Sequence, residues 1–101
     1  MADDKEKPAS VSQRGRLQIQ IDEPTSQGAY ANMTLVNHTE TEFLLDFIFM
    51  QPTEPRAKVR ARIISSPKHA KRFLAALSEN VARYEERFGE IQAASSTDPV
   101  H

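Results

Sequence analysis

The 101-residue sequence contains no cysteine, no tryptophan and only three glycines. Without cysteine there is no disulfide framework, no thiolate nucleophile and no thiolate ligand for a structural zinc. Gly15, Gly28 and Gly89 are far apart, so no glycine-rich loop can cradle a phosphate. No apolar run approaches the roughly 18 residues of a membrane span. The first ten residues, MADDKEKPAS, carry charge where a secretory leader would be apolar. The expectation is a small cytoplasmic protein with no membrane association. A chain of this size buries a low fraction of its surface, and without disulfides or metal it is commonly helped by association.

Charge of one sign is missing from long stretches. Residues 17–55 contain six acids and no lysine or arginine, whereas residues 56–78 contain seven bases and no acid. The net charge of −1 conceals this segregation. Such blocks either pair with each other inside the fold or present a patch to an external anion.

Residues 1–14 are charged and lack periodicity, which reads as a disordered tail. A single domain is expected over 15–92, with a second disordered tail at 93–101. RLQIQID alternates from Arg16, with Leu17, Ile19 and Ile21 on one face, and predicts a first strand. Pro24 and Gly28 mark a loop. Ala29 to Val36 alternates loosely as a second strand, and Asn37-His38-Thr39-Glu40 is the expected hairpin turn. The central strand is Glu42 to Met50, apolar on one face (Phe43, Leu45, Phe47, Phe49) and mixed on the other. Pro52 and Pro55 end it, because neither can donate to a ladder. Ala57 to Ile64 is the last strand. Ser65-Ser66-Pro67 opens a helix with a serine cap and proline at its first position. Ala70, Phe73, Leu74, Leu77, Val81, Tyr84 and Phe88 then recur at three- and four-residue steps, forming one apolar stripe. Gly89 ends it.

Directly opposed residues of antiparallel strands share a side of the sheet. Setting Asp46 against Arg60 or Arg62 brings Phe43, Leu45 and Phe47 beside Val59, Ala61 and Ile63. The other face then holds Leu44, Asp46, Ile48 and Met50 with Lys58, Arg60, Arg62 and Ile64. One helix covers one face of the sheet. The mixed face also keeps Val36 and Tyr30, and it calls for a second copy of the chain to cover it.

The histidines, His38, His69 and His101, are too scattered for a metal site. Ser65 and Ser66 near His69 are explained by the helix cap. Glu42 and Asp46 stand four residues apart on one strand, about 13 Å, too far for a catalytic carboxylate pair. No catalytic residue, cofactor or metal is therefore assigned, and the chain is read as no enzyme. The basic row Lys58, Arg60 and Arg62, followed by Lys68, Lys71 and Arg72 at the helix start, is the sharpest candidate for a ligand. Strand ribbons bearing such rows enter DNA grooves in dimeric proteins. Glu42 and Asp46 on the neighbouring strand offer internal partners instead, and internal pairing is the simpler reading.

The run Glu42-Phe43, Asp46-Phe47, Pro52, Val59, Arg62-Ile63, Ser66-Pro67, Ala70-Lys71, Leu77, Asn80, Tyr84-Glu85 and Phe88-Gly89 resembles a family of short bacterial proteins known only as domain of unknown function 3467. The likeness covers about residues 15–92. It implies a small cytoplasmic protein and carries over no activity, cofactor or site residue.

The sequence thus predicts an α+β domain: an antiparallel sheet of three or four strands followed by one long C-terminal helix, assembled as a homodimer. Its expected role is that of a non-catalytic interaction protein, a homodimeric scaffold or an accessory subunit for a protein partner. The contact surface would be Leu44, Asp46, Ile48, Met50, Lys58, Arg60, Arg62 and Ile64. The competing reading is a nucleic-acid binder using Lys58, Arg60, Arg62, Lys68, Lys71 and Arg72.

Overall fold

The structure is a computed structural model, and it describes residues 8–14 and 17–93. The chain divides into two compact units, Met1–Tyr30 and Ala31–His101.

In the first unit, β1 (Pro8–Arg14) pairs antiparallel with β2 (Leu17–Asp22), Arg14 standing opposite Leu17. The alternation of RLQIQID marked β2, but residues 8–14 were expected to lack structure. The sequence PASVSQR carries no clear period-2 apolar signal, and the backbone ladder of a strand pair is not something composition reveals. The remainder of both expected tails, residues 1–7 and 94–101, lies outside the described residues. Where Pro24 suggested a loop, a short helix α1 (Glu23–Ser26) forms. Asp22 caps it by accepting the Thr25 amide at 2.8 Å. The Thr25 side chain first, and this amide second, lower the pKa of the Asp22 carboxyl below its ordinary value by hydrogen bonding to it.

The second unit is a three-stranded antiparallel sheet, β3 (Met33–His38), β4 (Phe43–Met50) and β5 (Ala57–Ser65), with β4 in the middle, followed by the helix α2 (Pro67–Phe88). This is the expected α+β arrangement. Its first turn sits later than the sequence suggested. Asn37 and His38 belong to β3, and the reversal is Thr39–Glu42, closed by the Thr39 amide donating to the Glu42 carbonyl at 2.9 Å. The Thr39 hydroxyl accepts the amides of Thr41 and Glu42. A threonine thus supplies the local bonds sought from Asn37. The open end of the same hairpin is held by Asn32, whose side-chain oxygen accepts the Met50 amide at 2.8 Å while its nitrogen donates to the Met50 carbonyl at 3.1 Å.

Helix α2 starts and stops where the sequence places it. Ser66 Oγ accepts the His69 amide at 3.1 Å, and Gly89 adopts φ +100°, ψ 165°, a region open essentially to glycine alone. The expectation that α2 lids one sheet face is only partly met. No residue of α2 is buried, and Phe43, Leu45 and Phe47 beneath it stay half-buried. Among the described residues the buried ones are Ile48, at 3% exposure, and Asp46, at 6%.

Candidate interaction surface

Three groups of side chains were expected to act: a mixed sheet face, a basic row and the start of the helix. Position on the sheet decides the first two. From Phe43↔Ser65 to Phe47↔Ala61 the β4–β5 ladder has the expected register, and Asp46 stands opposite Arg62. Between Phe47 and Ile48 the register shifts by one: Ile48 faces Val59, Phe49 faces Lys58 and Met50 faces Ala57. Arg60 is the extra residue of this bulge. A one-residue insertion exchanges the two faces of everything beyond it. Lys58 therefore shares a face with Phe49 instead of Ile48, and Val59 takes the place expected for a cation. The row Lys58, Arg60, Arg62 does not exist as a single line on one face.

Asp46 and Arg62 make the pair that the strand faces called for. Arg62 Nε donates to Asp46 Oδ1 at 2.7 Å and its terminal amino group to Oδ2 at 2.9 Å. This two-pronged geometry is the strongest form of carboxylate–guanidinium contact. The hydrogen bonds from Arg62 pull the Asp46 carboxyl below its ordinary pKa, outweighing the opposing effect of burial, and Asp46 raises Arg62 in return. Arg62 is thus neutralised within the chain. The other ion pairs among the described residues are Glu54–Arg56 at 3.5 Å and Glu79–Arg83 at 3.7 Å. Lys58, Arg60, Lys68, Lys71 and Arg72 have no ion-pair partner among those residues, and all are exposed. Lys58 and Arg60 border an open hollow with Phe49, Gln51 and Arg56.

The mixed face is likewise redistributed. Its centre, Asp46 and Ile48, is buried, Leu44 and Met50 are half-buried, and Ile64 is 55% exposed. Val36 faces Leu45 and so belongs to the other side of the sheet, while Tyr30 lies outside β3. Among the described residues a long exposed apolar row runs along α2. Phe73, Leu74, Leu77, Val81, Tyr84 and Phe88 are each 38% to 65% exposed. Toward the start of the helix, Ala70, Leu74 and Leu77 border an apolar hollow of about 270 Å³ with Val36, Phe43 and Leu45 of the sheet. The sequence reading identified every one of these helix residues and assigned them to the interior.

Residues 1–93 match the family described as a protein of unknown function, DUF3467. The chain belongs to that family. No curated protein and no solved structure matches it. The family description assigns no chemistry to this DUF3467 chain, so its surface has to be read on its own terms. Among the described residues no three of histidine, cysteine, aspartate and glutamate are grouped to hold a metal. None of the helices described is long and apolar enough to cross a membrane. Of Ser65 and Ser66, the serines near His69, Ser66 accepts the His69 amide as a helix cap. What the second unit offers in quantity is uncovered apolar surface.

Proposed function

We propose that this DUF3467 chain is a non-catalytic interaction protein that completes its fold as a homodimer and serves as a scaffold or accessory subunit. The exposed apolar row of α2 carries the reading. Full burial of a Leu, Val or Phe side chain contributes about 1.5–3 kcal/mol. Six such residues left roughly half exposed withhold a sum of about 5–9 kcal/mol, comparable with the whole stability of a small domain. A self-complementary surface recovers that sum with no other molecule required. The expected contact surface accordingly moves from the centre of the mixed face, where Asp46 and Ile48 are already buried, to α2 and the sheet residues bordering its hollow.

Light scattering across a range of concentrations tests this. The expected mass is twice the 11.4 kDa of the chain. A mass of one chain at every concentration up to hundreds of micromolar overturns the reading.

A second reading has one observation in its favour, five exposed cations of β5 and the start of α2 that lack acidic partners among the described residues. In that reading Lys58, Arg60, Lys68, Lys71 and Arg72 hold nucleic acid through phosphate contacts, and Arg62 takes no part. Binding to duplex DNA or RNA would then weaken steeply with salt. Absence of binding at low ionic strength removes it.

A further inference from the structure

The apolar side chains of α2 repeat more strictly than a face packed on a sheet requires. Ala70, Leu74, Leu77, Val81, Tyr84 and Phe88 follow one another at steps of four, three, four, three and four. That is a seven-residue repeat with apolar first and fourth positions, the seam of a left-handed helix pair. The seam is exposed along its length apart from Ala70, which is half-buried. One occupant fits it by charge. The first half of α2 carries Lys68, Lys71 and Arg72 and no acid. From Glu79 to Glu90 the chain carries Glu79, Glu85, Glu86 and Glu90 against Arg83 and Arg87. A parallel pair would set basic half on basic half. An antiparallel pair sets basic on acidic.

We infer that α2 pairs antiparallel with α2 of a second copy, about a two-fold axis at the level of Glu79. This rests on the homodimer reading above and specifies its geometry. In antiparallel pairs the first position of one repeat packs on the fourth of the other, which fixes the layers. Leu77 meets Val81 of the second copy, Leu74 meets Tyr84, and Ala70 meets Phe88. The smallest seam residue thus stands across from one of the largest. Beside the seam, Lys71 comes within two residues' rise, about 3 Å, of the level of Glu85 of the second copy, and Phe73 of that of Arg87. The hollow bordered by Val36, Phe43, Leu45, Ala70, Leu74 and Leu77 is then filled by the second copy's Tyr84 and Phe88. Those two rings already lie together in each chain, with centroids 5.0 Å apart. The dimer therefore covers the helix and closes the gap between helix and sheet in one step.

The chain lacks cysteine, so Lys68→Cys gives a single site for a spin label, and the full chain serves for the measurement. Position 68 lies eleven residues from the axis. Antiparallel pairing puts the two labelled positions about 33 Å apart along the helices, and parallel pairing puts them at the same level, separated only by the width of the helix pair. A dimer with the long separation supports the inference. A dimer with the short one overturns the antiparallel geometry and leaves the homodimer reading standing, whereas a monomer overturns both. A charge exchange gives an independent check. Lys71→Glu and Glu85→Lys should each raise the dimer dissociation constant about tenfold, since every dimer contains the pair twice. Their combination should bring it back toward the native value. Glu85 also accepts the Ile91 amide at 2.9 Å, but that loss is common to the single and double variants and cancels in the comparison. Strictly additive losses would show that Lys71 and Glu85 do not meet across the axis.

Discussion

Leu77 is the most direct probe of what covers α2. It is 49% exposed in the single chain, and in the paired helices it lies one layer from the two-fold axis against Val81. Full burial of leucine is worth about 1.5–3 kcal/mol, so the uncovered half represents about 0.7–1.5 kcal/mol per copy. Two copies bring the Leu77→Ala effect on the dimer to about 2 kcal/mol, or roughly a 30-fold rise in dissociation constant. The helix itself should not suffer, because alanine is the best helix former. Sedimentation equilibrium on native and variant chains reads the dissociation constant, and circular dichroism at high concentration verifies that helix content is kept. The unfolding midpoint of the variant should also become more dependent on protein concentration, since dissociation and loss of structure are linked. Ala82→Gln, on the far side of the helix, is the control and should change the constant by no more than about twofold. If Leu77→Ala and Ala82→Gln leave the association equally strong, the apolar row of α2 is not the dimer contact.

The other expectations concern single features of the second unit. Ser66→Ala removes the acceptor for the His69 amide and should lower stability by about 1 kcal/mol, read from denaturant unfolding, with Ser66→Asp restoring it. Gly89→Ala meets no atom within 4 Å, so its whole cost is the backbone at φ +100°, about 1–3 kcal/mol in thermal unfolding; an unchanged midpoint would show that the chain relaxes freely there. Because Arg62 holds the Asp46 carboxyl below its ordinary pKa, that pair stabilises the fold above the unfolded-state value of about 3.9 and the contribution is lost as pH falls through the lower folded value. Asp46→Asn should flatten the acid limb of stability below about pH 4, and an unaltered limb in a pH titration of unfolding would contradict the pairing. If the basic side chains serve nucleic acid, Arg60→Ala reduces the salt slope of binding and Arg62→Ala, whose guanidinium is already engaged, does so less.

Most elements were legible because their signals are local. The alternation of β4, the serine cap and proline at the start of α2 and the glycine at its end each depend on a few neighbouring residues. The Asp46–Arg62 pair was within reach too, since matching apolar to apolar rows forces those two charges together. The bulge was not. Period-2 reasoning assumes an unbroken ladder, and one inserted residue at Arg60 exchanges Lys58 and Val59 between the faces with no composition cue to announce it. Strand β1 was missed for the opposite reason, having no apolar alternation to find. The helix shows a different kind of limit. Periodicity says that Leu74, Leu77, Val81, Tyr84 and Phe88 need cover, and it is silent on whether that cover comes from the same chain. A helix lying on its own sheet wants an apolar face about 100° wide, while a helix pairing with its equal needs only the narrower seam. Along α2 the large apolar side chains beyond Phe73 keep to the seam alone, and the acids of the helix fall in its second half. Both features suit a partner running the opposite way. Neither improves the packing of a lone helix on three strands, so the pattern is better explained by a second copy than by the sheet below.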